Sequence, residues 1–115
     1  MRIEVKGRNV VVPDELRERI EKRLEKVSKQ VSPVAQCDVE LSEEKNPSIA
    51  DSQIAELTLR LKGTTLRARN ASGNMTQSLN LAADELARQV KRHREKRRGR
   101  RVGSAEKVEA RPATP

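Results

Sequence analysis

The chain has no phenylalanine, tyrosine or tryptophan among its 115 residues. Its core must therefore be assembled from Leu, Ile, Val, Met and Ala, and such a core is thin, with modest stability expected from it. The same absence excludes the usual single-strand recognition, in which bases stack on aromatic rings, and leaves arginine guanidinium planes as the only stacking surface. A single cysteine, Cys37, offers neither an internal disulfide nor a metal cluster. The longest apolar run is Val10-Val11-Val12, far short of the roughly 20 residues that a membrane-spanning helix needs. Met1-Arg2-Ile3-Glu4-Val5 alternates from the first residue and lacks the apolar stretch and small-residue cleavage site of a secretory signal. Gly-rich phosphate loops, nucleophile elbows and paired Cys-His ligands are missing too. The expectation is a cytoplasmic protein that is not an enzyme, with no cofactor, metal or small-molecule substrate.

What the chain does have is positive charge in one place. The formal net charge is +8. Between Arg88 and Arg101 stand nine Lys or Arg residues and one acid, Glu95, a net of +8, so the rest of the chain sums to zero. Like charges crowded on one helix repel one another. The negative end of the helix dipole favours two or three basic residues there, but not nine. The segment reads as a surface for a polyanion, nucleic acid before membrane. An interfacial membrane helix needs bulky apolar residues on one face, and Lys91 to Arg98 has none. Contacts are expected mostly to phosphate and sugar.

Apolar periodicity orders the chain. Arg2 to Lys6 alternates as a half-buried strand, with Ile3 and Val5 inward. Gly7-Arg8-Asn9 is a loop. Pro13, followed by Asp14 and Glu15, opens a helix whose stripe is Leu16, Ile20, Leu24, Val27 and Val31, ended by Ser32-Pro33. A second strand places Ala35, Cys37, Val39 and Leu41 on one face. Turn residues around Asn46-Pro47-Ser48 precede a third strand over Ala55, Leu57, Leu59 and Leu61. Lys62-Gly63-Thr64 marks a tight turn into a fourth short strand, with Leu66 and Ala68 facing one way and Arg67 and Arg69 the other. Asn70-Ala71-Ser72-Gly73 reads as a loop. Asn74, with Gln77 three residues on, caps a last helix of stripe Met75, Leu79, Ala82, Ala83, Leu86 and Val90. Gly99 and Gly103 are expected to break it. The fold class is α+β, in the order β-α-β-β-β-α: a four-stranded mixed sheet, its first strand parallel to its partner, with two helices packed on one face. Residues 1–98 form the domain and 99–115 a disordered basic tail or linker.

Individual residues have simple readings. His93 continues the stripe of Leu79, Leu86 and Val90 and is expected to pack at the end of the core. Cys37 falls on an inward strand face and reads as a small buried hydrophobe. Asp38, Glu40, Glu43 and Glu44 read as a solvated strand edge, not a metal cage.

The run Asp84-Glu85-Leu86-Ala87-Arg88-Gln89-Val90-Lys91-Arg92-His93-Arg94-Glu95-Lys96 closely resembles the last helix of the ribosome hibernation-promoting factors, the family that includes ribosome-associated inhibitor A. Lys6-Gly7-Arg8-Asn9-Val10, Val12-Pro13-Asp14 with Leu16-Arg17, and Val39-Glu40-Leu41-Ser42-Glu43 resemble the same family's N-terminal domain. The resemblance covers residues 1 to about 98 in order. It implies a domain that lodges in the small ribosomal subunit, in the channel used by messenger and transfer RNA, and that inhibits translation and protects idle ribosomes. It also implies rRNA contacts through basic residues of both helices: Arg23, Lys26 and Lys29 on the first, Arg88, Arg92 and Lys96 on the second, with Lys91 and Arg94 beside them. The expected partner is the small subunit and its rRNA, met as a monomer; the alternative is a generic double-stranded RNA or DNA module. Two positions depart from the family pattern. Thr76 stands where Tyr is common, and Glu85 where Lys is common, which removes a phosphate contact or moves it to Arg88.

Overall fold

Alternating sequence becomes a single four-stranded sheet. The structure is a computed structural model that describes residues 1–46 and 48–110, with side chains through Lys96. β1 is Arg2–Gly7, β2 Gln36–Glu43, β3 Gln53–Leu61 and β4 Thr64–Ser72, and they lie in the spatial order β1-β2-β3-β4. β1 runs parallel to β2, with Ile3 beside Cys37 and Val5 beside Val39. The β2–β3 and β3–β4 pairs are antiparallel. This is the mixed sheet expected, because a helical crossover must return its strand parallel whereas short turns return theirs antiparallel.

The buried positions at the centre of the sheet carry small or aliphatic side chains. Cys37, Val39 and Leu41 of β2, Ala55, Leu57 and Leu59 of β3 and Ala68 of β4 are buried in one cluster with Ile20, Leu24, Val27, Leu79, Ala82, Ala83, Leu86 and Val90. The helices thus lie on one face of the sheet, and the other face is left to polar residues. The loop from β1 is tight. A Cβ at Gly7 would collide with the Val10 carbonyl, and Asn9 sits at φ 99°, a left-handed conformation that Asn tolerates better than most residues.

The first helix is not continuous. The sequence stripe predicts one helix from Asp14 to Val31, whereas the structure divides it into α1, Asp14–Arg23, and α2, Glu25–Gln30, joined at Leu24 with φ −92° and ψ 2°. Hydrogen bonds from Leu24 N to Ile20 O and from Ser28 N to Leu24 O, at 3.0 and 2.9 Å, carry the helical path across the joint. Leu24 itself is fully buried. The apolar stripe passes through the joint unbroken, so periodicity could not reveal it.

Two further boundaries differ. β4 continues through Asn70 and Ala71 to Ser72, where the sequence suggests a loop. The inward hydroxyl of Ser72 lies 2.7 Å from both the Ser78 hydroxyl and the Asn74 carbonyl, which share its one proton between them. The last helix, α3, spans Met75–Ala110 and passes the glycines expected to break it, Gly99 and Gly103. A helix-interior glycine costs only about 1 kcal/mol, and the surrounding Arg, Lys, Glu and Ala are good helix formers. Of the expected tail, residues 111–115 lie outside the described residues, as does Pro47 of the β2–β3 turn. In that turn Asn46 accepts from the Ser48 amide at 3.0 Å.

The start of α3 is fixed from three sides. Asn74 Oδ1 accepts from the Gln77 amide at 3.1 Å, the expected cap. The reciprocal half of a capping box is taken over by Ser72, whose hydroxyl accepts from the Asn74 amide at 3.2 Å. Ser78, fully buried, donates to the Gln53 carbonyl at 2.6 Å and so ties the first turn to β3.

Candidate nucleic-acid interface

The eight basic residues singled out in the sequence lie on the helical layer but do not form one patch. Arg23 is near the end of α1, and Lys26 and Lys29 are exposed on α2. Arg88, Lys91, Arg92, Arg94 and Lys96 are exposed around α3. Helical spacing distributes this last group. Arg92 and Lys96 line a depression with Thr64 and Leu66 of β4. Arg94 lines a separate groove with Gln30 and Val31 at the end of α2, Val34 beyond it and Leu61 of β3. His93 borders both depressions and is half-buried beside Val90, as its place in the stripe suggests.

Half of these cations are already paired. Arg23 donates to Asp84 at 2.9 Å, bridging α1 and α3. Lys29 lies 3.6 Å from Glu25. Arg88 donates to Glu85 through Nη2 at 2.7 Å and Nε at 3.2 Å, and Arg92 reaches the other oxygen of the same carboxylate at 3.7 Å. Gln89 adds a bond to Glu85 at 3.2 Å. The hydrogen bonds from Arg88 and Gln89, with the positive charges of Arg88 and Arg92, hold the Glu85 carboxyl below its ordinary value of 4.5. Lys26, Lys91, Arg94 and Lys96 have no ion pair among the described residues.

Glu85 therefore does more than remove a positive charge from the family pattern. Its carboxylate holds Arg88 by two hydrogen bonds to one oxygen and draws Arg92 to 3.7 Å of the other. The three- and four-residue spacings of Glu85 to Arg88 and Gln89 were a usable sequence signal for this cluster. The Arg23–Asp84 bridge, 61 residues apart, was not. Sequence reading also passed over Arg19 and Lys22, which line a small depression with Arg23 and Asn80 between α1 and α3. Among the described residues no group of His, Cys, Asp or Glu could hold a metal ion, and no helix is long and apolar enough to cross a membrane.

The fold and surface together define a small α+β domain, a four-stranded mixed sheet under a helical layer that carries exposed cations. Residues 3–98 match the family described as Sigma 54 modulation protein / S30EA ribosomal protein, and the chain belongs to that family. It is 34% identical over 109 residues to a ribosome hibernation promotion factor of Picosynechococcus, covering 94% of this chain and 56% of that protein. The chain thus spans little more than half the length of that relative. A ribosome hibernation promoting factor of Azotobacter vinelandii is 27% identical, with 90% of this chain and 92% of the relative covered. The crystal structure of the N-terminal domain of Protein Y from Thermus thermophilus superposes with a TM-score of 0.68 at 28% identity, covering 81% of this chain and 99% of that one. A ribosomal subunit interface protein from Coxiella burnetii shares the fold, with a TM-score of 0.68 at 22% identity over 83% of this chain and 99% of that one.

Proposed function

We propose that this chain is a ribosome hibernation factor. It binds the small ribosomal subunit in the channel used by messenger and transfer RNA, inhibits translation and protects idle ribosomes in the cytoplasm. It acts by occupying a site and performs no chemical step. The observation that carries this reading is the extent of the family match, residues 3–98, which includes seven of the nine basic residues of the run from Arg88 to Arg101. The domain binds as a monomer, and residues 99–115, of which 99–110 continue α3, serve as a tail or linker.

Arg23, Lys26 and Lys29 on α1 and α2, with Arg88, Lys91, Arg92, Arg94 and Lys96 on α3, supply the rRNA contacts. Phosphate oxygens replace the carboxylates that hold Arg23, Arg88 and Arg92 in the free protein. If about five phosphates are neutralised, affinity falls with salt at a log-log slope of roughly −4. Cosedimentation with vacant small subunits tests the reading. Binding should be lost when messenger and excess transfer RNA fill the channel; undiminished binding to filled subunits overturns it. A naked RNA duplex that competes as well as subunits would instead assign a general double-stranded RNA or DNA binder.

A further inference from the structure

The two-residue turn at Lys62-Gly63 fixes which way the main chain of β4 faces. It closes on the Leu61–Thr64 pair, so hydrogen-bonded and free pairs alternate along the hairpin from there. Leu59–Leu66 and Leu57–Ala68 are then bonded pairs. Thr58–Arg67 and Glu56–Arg69 are the unbonded ones, in which the main-chain groups point away from β3. β4 is the last strand of the sheet. The amides of Arg67 and Arg69 therefore face outward along a free edge, and both side chains are exposed.

An uncovered strand edge alternates donors with acceptors, and the acceptors repel an anion. Here Gln89 of α3 donates to the Arg67 carbonyl at 2.7 Å and takes one acceptor out of the row. The same bond fixes α3 beside the edge. Arg88 and Arg92 flank Gln89 on the helix, and Arg92 and Lys96 line the depression against Thr64 and Leu66. Two cationic rows result, one on either side of the β4 main chain. Arg67 and Arg69 are about 7 Å apart along the strand. Arg88, Arg92 and Lys96 are spaced about 6 Å along the helix. Neither Arg67 nor Arg69 has an ion pair among the described residues.

We propose that the β4 edge is a second nucleic-acid contact, in which the amides and guanidinium groups of Arg67 and Arg69 grip phosphates of an RNA backbone that runs along the outside of the strand, beside α3. Gln89 is a positioning residue that joins the two rows. The interface then wraps round one side of the domain instead of ending at the helical layer. This inference rests on the proposed ribosome-binding function and adds a contact to it.

The test compares the wild type with R67E/R69E and with R88E/R92E/K96E, each checked for fold by circular dichroism and thermal melting. Affinity for vacant small subunits is measured by cosedimentation across a salt series. R67E/R69E should weaken binding by roughly tenfold or more and reduce the salt slope by about 1.4–1.8, the contribution of two phosphates. The neutral pair R67Q/R69Q, milder for the strand, should shift the slope in the same direction. Wild-type affinity and slope in both edge variants, with binding lost in the helix variant, overturns the edge contact and leaves the proposed function standing. Failure of the wild type to bind subunits overturns both.

Discussion

The side chain of Asn9 acts as one more residue of the β1–β2 ladder: its Nδ2 donates to the Glu43 carbonyl at 2.8 Å and its Oδ1 accepts from the Glu43 amide at 2.9 Å. The pairing explains why a short amide stands at this turn. Only a residue that accepts φ 99° and also carries a donor and an acceptor can close it.

Asn9→Ala should destabilise the domain by about 1–3 kcal/mol, from two lost bonds and a side chain strained at positive φ. Asn9→Gly, which relieves the strain but not the lost bonds, should fall between that variant and the wild type. Urea unfolding curves with a common slope would rank the three; a wild-type midpoint for Asn9→Ala would contradict the bridge.

Glu85→Gln should release Arg88 and Arg92. Affinity for a polyanion such as duplex RNA is expected to rise about twofold to fivefold at low salt, with a salt slope steeper by up to about 1–2 as the freed cations engage. The carboxyl also reports its own environment. In the folded protein it should titrate below 4.5, its ordinary value, and move back toward it in R88A/R92A, as followed by side-chain NMR. Because the folded value is lowered, the cluster's contribution to stability is present above the unfolded value. It is lost as pH falls through the folded one.

Ser78→Ala should cost about 1–3 kcal/mol, because the buried hydroxyl links the Ser72 side chain to the Gln53 carbonyl. Amide exchange should increase first in the opening turn of α3. Unchanged protection there would show that the cap at Asn74 suffices.

Cys37 makes the alkaline limb of stability testable. Burial, with Asp38 adding to it, pushes the thiol from 9.0 up to about 12. The unfolded chain gives up this proton first, so stability should fall as pH rises from about 9, by at most about 1.4 kcal/mol per pH unit. Cys37→Ala should remove that slope. Thiol labelling at neutral pH should follow global unfolding, since the side chain is fully buried.

Period-two alternation made all four strands legible, since each has one wet and one dry face, and a helical crossover left little choice of direction for β1. What stayed hidden depends on tertiary partners. Leu24 interrupts the helix geometrically while remaining in its apolar stripe. Ser72 lies in a strand because Ser78 satisfies its hydroxyl, and no local pattern announces that. The basic residues of α3 were conspicuous, but their division between the β4 side and the α2 side follows from packing. So does the pairing of Arg23 with Asp84. Arg67 and Arg69 could be seen to point outward; that their strand is the free edge required the strand order.

The open face of the sheet gives the domain an electrical orientation. Glu4, Asp38, Glu40 and Glu56 occupy its first three strands, but cations answer them: Lys6 lies 3.8 Å from Glu4, Arg60 is engaged by Asp38 and Arg8 by Glu40, with Arg2 on the same face. The helical layer opposite, with the β4 edge, holds the unneutralised cations. Such a molecule is a dipole set across the sheet, and it turns in the field of a polyanion before contact is made. It should arrive with its helices forward and the self-neutralised strands trailing, so adding positive charge to that trailing face would slow productive encounter without touching a single contact.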